Sequence, residues 1–222
     1  MDFKPTLPVI IALALTGCAT NGDPRDPLEP MNRAIHGFNE GFDRYLLRPV
    51  AEGYDTIMPT FAQTGVRNFF ANLDDITVVA NDILQFKLEQ GARDFMRLAF
   101  NSTFGMFGLL DVAGEMGLKK NNEDFGQTLG RWGVPTGPYL GLPVFGPSNL
   151  RDAGGFAVDM AGDPLRAVGT EGAQNNARVV RIVDTRAALL RAGRVVEGAA
   201  LDKYSFVRDG YLQRRRRLGW DG

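Results

Sequence analysis

The chain has 222 residues, of which 44% are hydrophobic and 23% are charged, and its formal net charge is −1. This composition is that of a folded protein and excludes a disordered or low-complexity chain. The charge is uneven, because residues 178–217 carry +7 and the remainder carries −8. A basic segment of this kind binds nucleic acid, an anionic membrane or an acidic partner, or it is a solvated face.

The N-terminal residues have the pattern of an export signal. The apolar run from Leu7 to Leu15 rises only about 13 Å as a helix, less than half of the roughly 30 Å hydrocarbon core of a bilayer. It leads into Leu15-Thr16-Gly17-Cys18, which resembles the lipobox of bacterial lipoproteins, where a diacylglycerol is attached to the cysteine. Cys18 is the only cysteine and has no disulfide partner. The alternative is an ordinary signal peptide in which Cys18 has no role.

These features predict a compartment and a domain plan. We expect a signal peptide over residues 1–17, a lipidated tether over 18–27 and one helical domain over 28–218. Export excludes nucleic acid as a partner, and Ala19, rather than aspartate, after the cysteine favours the outer membrane. The tether spans at most about 30 Å, so the domain is expected to lie on the membrane that anchors it, on its periplasmic side.

Apolar residues at spacings of three and four predict that most of the chain is helical. The pattern from Met31 to Tyr45 predicts a helix that ends before Pro49, and a short helix follows over 50–57. Asp74 is expected to cap a helix with Ile83 on its inner face, and a helix over 88–104 is expected to bury Phe95. Two further helices are predicted near 179–190 and 204–212.

Residues 99–117 do not fit a water-soluble helix bundle. The segment is apolar around nearly its whole circumference as far as Asp111, and it has glycines at 105, 108, 114 and 117. A mid-helix glycine costs about 0.5–1 kcal/mol relative to alanine, and a helix that is apolar all round is either deeply buried or faces lipid. We expect partial immersion in one membrane leaflet; the alternative is a tightly packed central helix pair.

The proline- and glycine-rich stretch 134–148 predicts a turn or hairpin. Gly133 and Gly137 tolerate positive φ, whereas Pro135 is fixed near −65°, so motion is expected to concentrate at the glycines, as at a hinge. Trp132 and Tyr139 beside it are residue types that favour a membrane interface. The alternative is a rigid structural turn.

The sequence contains no recognisable catalytic constellation. His36 is the sole histidine, and there is no G-x-S-x-G, H-E-x-x-H or Walker motif. The adjacent carboxylates Asp74-Asp75 and Glu123-Asp124 are expected to cap helices rather than to share an active site. We expect no enzyme activity, no cofactor and no metal.

Five segments in order resemble the MlaA (VacJ) family of outer-membrane phospholipid lipoproteins, over residues 26–217. They are DPLEPMNRAIHGFNEGFDRYLLRPVAEGY, NSTFGMFGLLDVAGEMGL, DFGQTLGRWGV, GPYLGLPVFGPSNLRDAGG and DTRAALL. The resemblance implies an all-α, single-domain ring within one membrane leaflet, with one hairpin, around an amphipathic channel for glycerophospholipids. It also implies two partners, a trimeric outer-membrane porin and a periplasmic lipid-carrier protein.

The resemblance gives a functional prediction and a set of candidate residues. The protein is expected to remove mislocalised glycerophospholipids from the outer leaflet, and a mobile hairpin is expected at the channel. The alternatives are a structural or assembly lipoprotein and a cell-wall hydrolase. The candidates for the channel wall, each of which could instead be ordinary core, are Phe38, Asn39, Phe42, Phe104, Met106, Phe107, Leu109, Leu110 and Asp111.

Overall fold

A computed structural model describes residues 23–167, 169–199 and 201–218. The expectations for the signal peptide and for Cys18 lie outside these residues. The described part is one mostly helical domain with a two-stranded antiparallel hairpin. None of its helices combines the length and the apolar content needed to cross a bilayer.

The elements follow one another in this order. They are α1 Glu29–Phe42, a π-helical segment Asp43–Leu47, α2 Arg48–Ile57, α3 Thr60–Leu84, α4 Leu88–Thr103, α5 Val112–Glu115, α6 Phe125–Arg131, β1 Tyr139–Leu142, β2 Gly146–Asn149, α7 Leu150–Ala161, a 3₁₀ turn Pro164–Ala167, α8 Glu171–Ala188, α9 Leu190–Ala199 and α10 Lys203–Leu218.

Three helix pairs and the hairpin build the domain. α3 packs along α4, α6 packs against α7, and α2 packs against α8. Gly155 allows α6 and α7 to touch through their backbones, since a Cβ there would lie 2.3 Å from the Gly126 nitrogen. The hairpin pairs Tyr139 with Asn149 and Leu142 with Gly146, which confirms the predicted turn.

Two predicted helix boundaries are wrong. Pro49 does not end the first helix; the chain passes from α1 through the π-helical segment into α2, and the Arg48 N–H donates to the Asp43 carbonyl five residues back. The wider turn accommodates a proline, which would otherwise clash with the preceding turn of an α-helix. Asp74 caps nothing, because α3 begins at Thr60. Asp124, by contrast, caps α6 by accepting from the Gln127 N–H at 2.9 Å, as predicted.

The segment after α4 is not a continuous helix. α4 ends at Thr103, and Met106, Phe107 and Gly108 adopt φ values of +53°, +60° and +90°. L-residues rarely adopt this left-handed conformation. The result is a tight loop over residues 104–110, here called the apolar loop, closed by the Gly108 N–H donating to the Asn101 carbonyl at 2.9 Å.

The burial pattern is the reverse of the one expected for α3 and α4. On α4 the buried positions include Asp94 and Arg97, whereas Phe95 is exposed; on α3 Asp75 and Asp82 are buried, whereas Ile83 is exposed. Across the described residues, ten apolar and eighteen polar or charged side chains are buried, while thirty-two large apolar side chains are exposed. Water-soluble proteins seldom bury charged groups or expose large contiguous apolar surfaces.

Internal ion pairs use much of the basic C-terminal region. Arg181 pairs with Asp74, and Arg186 donates to Asp43 at 2.7 Å. Arg215, whose side chain is 10% exposed, donates to Asp152 at 2.6 Å and to Asp124 at 3.0 Å, joining α10 to the beginnings of α6 and α7. These arginines stabilise the fold and are not a solvated face; Arg214, Arg216 and Arg217 are exposed.

The buried carboxyls of Asp82 and Asp94 form an acid pair between α3 and α4. Asp82 Oδ1 accepts from Gln90 at 2.8 Å and Asp94 Oδ2 accepts from Asn121 at 2.9 Å, while Asp82 Oδ2 and Asp94 Oδ1 receive no hydrogen bond from described residues. Burial and the neighbouring Asp94 raise the pKa of Asp82 to about 7. A proton on Asp82 therefore donates to Asp94 in the folded state.

This pair predicts a pH-dependent stability. Because the pKa of Asp82 is raised in the folded state, its stabilising effect is present below about pH 4 and is lost as the pH rises to about 7. Asp82→Asn supplies an amide donor to Asp94 at every pH. At pH 8 we expect it to increase the free energy of unfolding by about 1–3 kcal/mol, the cost of a poorly paired buried polar group, with little effect at pH 4.

Urea unfolding in detergent at the two pH values measures this difference. Glu89→Gln, which changes an exposed carboxylate on the same helix as Asp94, is the matched control and should leave the pH profile unchanged. A profile for Asp82→Asn that parallels the wild type would contradict the shared proton.

Candidate functional site

The hairpin, α1 and the π-helical segment enclose a cavity of about 210 Å³, here called the hairpin cavity. Side chains of both polar and apolar character line it. They are Asn32, Ile35, His36, Asn39, Glu40, Asp43, Arg44, Arg48, Tyr139, Pro147 and Val207. Most of them come from one stretch of chain, residues 32–48, so the cavity is built mainly by one face of α1 and its π-helical continuation.

Two asparagines, seven residues apart on α1, dock the helix onto the hairpin. Asn32 donates to the Tyr139 carbonyl at 3.1 Å and accepts from the Gly141 N–H at 2.8 Å. Asn39 donates to the Leu142 carbonyl at 3.0 Å and accepts from the Val144 N–H at 2.7 Å. Each amide thus pairs with both a carbonyl and an N–H, which buried backbone groups require. The geometry of the cavity therefore depends on these two side chains.

Val144 at the hairpin tip has a φ of +69°, which is rare and strained for a β-branched residue. The bond from its N–H to Asn39 lies directly at the strained position. A predicted channel residue, Asn39, thus lines the cavity and also holds the hairpin tip in an unfavourable conformation. Neither role is an ordinary core role.

The carboxylates of the cavity are paired with cations from distant helices. Glu40 accepts from Lys203 of α10 at 3.1 Å, and Asp43 accepts from Arg186 of α8 at 2.7 Å. At the base of the cavity, burial and the nearby Asp26 carboxylate raise the pKa of the Tyr139 hydroxyl to about 12, so it stays protonated at neutral pH. Tyr139 is buried and does not face outward, contrary to the expectation that it lies at a membrane interface.

The predicted channel residues do not form one site. Phe38 and Phe42 stack on each other with ring centroids 6.2 Å apart, and Phe38 is exposed. The apolar loop instead contacts α3: Asn68 donates to the Leu109 carbonyl at 3.2 Å, and a Cβ at Gly108 would lie 2.5 Å from the Asn72 Cβ.

Most large side chains of the apolar loop are exposed, although Leu109 also lies near Gly65 of α3. The exposed members of this predicted set are Phe104, Met106, Phe107, Leu109 and Leu110. Asp111 caps α5 through the Gly114 N–H and accepts from Arg97 and Asn101 at 3.0 and 2.9 Å. These hydrogen bonds lower the pKa of its carboxyl although burial raises it. Asp111 therefore fixes the end of the apolar loop to α4 and α5, while 40% of its side chain stays exposed.

Both glycines of the predicted hinge are held by neighbouring structure. Gly133, with φ +90°, ends α6: its N–H donates to the Gly130 carbonyl at 3.0 Å, a common helix termination. Gly137, with φ +69°, lies against Leu150 of α7, where an added Cβ would be 3.0 Å from the Leu150 Cβ. Pro135 lies between them. Proline cannot adopt the φ of Gly133, so Gly133→Pro would test the helix end rather than gating.

Sequence reasoning missed Asn32, Arg44 and Arg48 as cavity residues. The seven-residue spacing of Asn32 and Asn39 places them two turns apart on one helix face, a signal that could have identified this polar stripe. In the described part of the chain, no three metal-ligating side chains come together. The arrangement is suited to binding a polar group reversibly beside apolar walls.

Comparison with known proteins assigns the family. The sequence profile of the MlaA lipoprotein family matches residues 24–218. The intermembrane phospholipid transport system lipoprotein MlaA of Escherichia coli (strain K12) is 37% identical over 210 residues, which cover 90% of this chain and 82% of that protein. Its counterpart in Haemophilus influenzae is 31% identical over 96% of this chain and 89% of its own length.

A solved structure agrees with this assignment. It is described as "Structural basis for maintenance of bacterial outer membrane lipid asymmetry", and it superposes with a TM-score of 0.76 at 36% sequence identity, covering 87% of this chain and 98% of that one. Profile, sequence and fold thus coincide over nearly all of the described residues, and the chain belongs to the MlaA lipoprotein family.

Proposed function

We propose that this protein removes mislocalised glycerophospholipids from the outer leaflet of the outer membrane and passes them to a periplasmic lipid-carrier protein, maintaining lipid asymmetry. The observation that carries the proposal is the reversed burial pattern, with many polar groups in the interior and many large apolar side chains exposed. A helix surface that is apolar on its outer face is stable against acyl chains. Membership of a phospholipid-transport family supports the same function.

The domain is proposed to lie as a ring within the inner leaflet, held by acyl chains on Cys18 after removal of residues 1–17. The short tether over 18–27 keeps it at that surface. Each buried methylene contributes about 0.8 kcal/mol, so two or three chains anchor it stably. The exposed apolar side chains of the apolar loop, of α3 and of α4 contact lipid in this arrangement, and the ring associates with a trimeric porin.

Entry of the lipid is proposed to be passive and controlled by the hairpin. A phospholipid among lipopolysaccharides enters downhill in free energy, with its head group in the polar interior. The strained tip at Val144 is the element with two conformations, because releasing the Asn39 bonds relieves its positive φ. Gly133, Pro135 and Gly137 lie in the connection between α6 and this hairpin, where the change would be absorbed.

Co-extracted lipid tests the proposed function directly. The full-length protein, purified in a mild detergent that is itself not a phospholipid, is expected to retain glycerophospholipid at about one molecule per chain, measured by mass spectrometry and phosphorus assay. A structural or assembly lipoprotein would carry none beyond its covalent acyl chains. Protein free of phospholipid after extraction from phospholipid-rich membranes contradicts the proposal.

The apolar loop predicts a membrane contact that does not depend on the anchor. In a Cys18→Ala background, which removes the proposed acyl chains, Phe104→Ser with Phe107→Ser should reduce binding to phospholipid vesicles at least tenfold. The reason is that burial of each phenylalanine contributes about 1.5–3 kcal/mol. Sedimentation with vesicles measures the effect.

The matched control for the loop is Phe206→Ser, a similarly exposed phenylalanine on the arginine-rich α10. With zwitterionic vesicles it is expected to leave binding unchanged, because the contact proposed below for α10 is electrostatic and requires anionic lipid. If the loop variant and Phe206→Ser lose vesicle binding equally, the apolar loop has no specific role in membrane contact.

The exposed C-terminal arginines predict an electrostatic contact with anionic lipid or an acidic carrier. Replacing Arg214, Arg216 and Arg217 by glutamine should weaken binding to anionic vesicles at low salt, by about 1 kcal/mol per charge, and added salt should abolish the difference. Arg215→Gln is the contrasting variant: it leaves the Asp124 and Asp152 carboxylates without their cation and should lower stability by about 3–5 kcal/mol. Unchanged binding by the triple variant would identify these arginines as a solvated face.

A further inference from the structure

Arg44 is a cation without a counter-ion at the hairpin cavity. It lines the cavity, and in the described part of the chain it makes no ion pair, whereas Glu40 and Asp43 beside it are paired with Lys203 and Arg186. Arg44 is exposed to solvent, and an exposed arginine next to two free carboxylates could pair with either of them. Because both are engaged by other helices, the guanidinium of Arg44 keeps all five of its N–H donors available.

Arg44 is part of the π-helical segment. Asp43–Leu47 replaces α-helical geometry by a wider turn, which rotates the following side chains relative to α1. Such turns are costly and occur preferentially at functional sites. Arg44 lies within this segment and lines the cavity formed by α1 and the hairpin, and the same segment leads the chain into α2 past Pro49.

A second unpaired polar atom lies at the same cavity. His36 Nε2 is buried and has no hydrogen-bond partner among the described residues, and the His36 ring packs edge-on against Tyr204 with centroids 5.7 Å apart. Buried polar atoms of native proteins are nearly always paired, so a ligand or a water molecule in this cavity would satisfy His36 Nε2. An imidazole N–H and a guanidinium together suit an oxyanion with several acceptor oxygens.

The size and walls of the cavity restrict that oxyanion. About 210 Å³ lies below the roughly 300–1,000 Å³ of a pocket that encloses a whole drug-sized ligand. The cavity therefore has room for a charged head group while attached chains remain outside. Ile35, Pro147 and Val207 add apolar wall, which suits the glycerol end of a lipid better than a free hydrated ion.

We infer that the hairpin cavity is a binding site for the phosphodiester of a glycerophospholipid, with Arg44 and His36 as the groups that hold its oxygens. This inference rests on the proposed function and deepens it, because it assigns head-group recognition to two residues. The chemistry is shared with inorganic phosphate, and the apolar wall favours the lipid. Binding then selects for a phosphate and not for a particular acyl chain.

Equilibrium binding of two fluorescent lipids to the full-length protein in detergent tests the site. Phosphatidylglycerol carries the phosphodiester, and diacylglycerol has the same chains without it. Arg44→Gln should weaken phosphatidylglycerol binding about tenfold, the range of a lost charge-assisted hydrogen bond, and should leave diacylglycerol binding unchanged. Arg44→Lys should restore part of the affinity, since lysine also binds phosphate, and His36→Gln should cause a smaller loss.

The matched control is Arg93→Gln, which removes an exposed arginine from α4, away from the cavity. It should bind both lipids as the wild type does. Melting temperatures of all variants show whether a loss of binding reflects unfolding. If Arg44→Gln unfolds, Arg44→Lys is used in its place. A head-group site requires that Arg44→Lys change the ratio of phosphatidylglycerol affinity to diacylglycerol affinity.

Each contrary outcome has a separate meaning. Equal weakening of both lipids by Arg44→Gln, or no weakening of either, overturns the head-group site while leaving the proposed function intact. Displacement of phosphatidylglycerol by inorganic phosphate at equal affinity overturns the lipid as the ligand. Absence of any lipid binding by the wild type overturns the proposed function itself.

Discussion

The buried guanidinium of Arg97 is the constraint around which this half of the molecule is arranged. It is 3% exposed, donates to Asp111 at 3.0 Å and to the Leu118 carbonyl, and lies 3.9 Å from Asp75. Removing a guanidinium from water costs several kcal/mol unless its donors find acceptors. α3, α4 and the segment after the apolar loop therefore converge on it, and Lys120 completes the pairing of Asp75. Once polar groups fill the interior, the apolar faces of these helices can only point outward.

The same arrangement fixes the apolar loop without using its apolar side chains. Asp111 and Asn101 secure the end of the loop in the polar interior, and Gly108 approaches Asn72 too closely for any larger residue. Phe104 and Phe107 make no contribution to these contacts and remain on the surface. A loop held by its polar side and exposed on its apolar side is suited to contact lipid while keeping one conformation, because rigidity and lipid contact come from different residues.

Much of the fold could be predicted from the sequence, but which face of each helix is buried could not. Periodicity located α4 and the beginning of α10 within one residue, although α10 runs six residues beyond its predicted end, and the turn signals located the hairpin over Tyr139–Asn149. It also assigned Phe95 and Ile83 to the interior, which is wrong. The periodicity of a helix distinguishes an apolar face from a polar face. It assigns the apolar face to the interior only if the protein is assumed to be surrounded by water. Likewise nothing local in Met106 or Phe107 indicates positive φ, since that conformation is imposed by closure of the loop onto α3.

The candidate site was predictable only in part for a related reason. Asn39 was expected at a channel through the family resemblance, but its bonds to Leu142 and Val144 join residues more than one hundred positions apart. Arg44 depends on a π-helical turn, which has no signature in the residues DRYLL. The hydrogen bonds from Asn39 of α1 offset the backbone strain at the hairpin tip, so the conformation of the hairpin depends on its contact with α1. A ligand that entered the cavity between them would contact both, so its binding would be coupled directly to the position of the hairpin and would require no longer pathway.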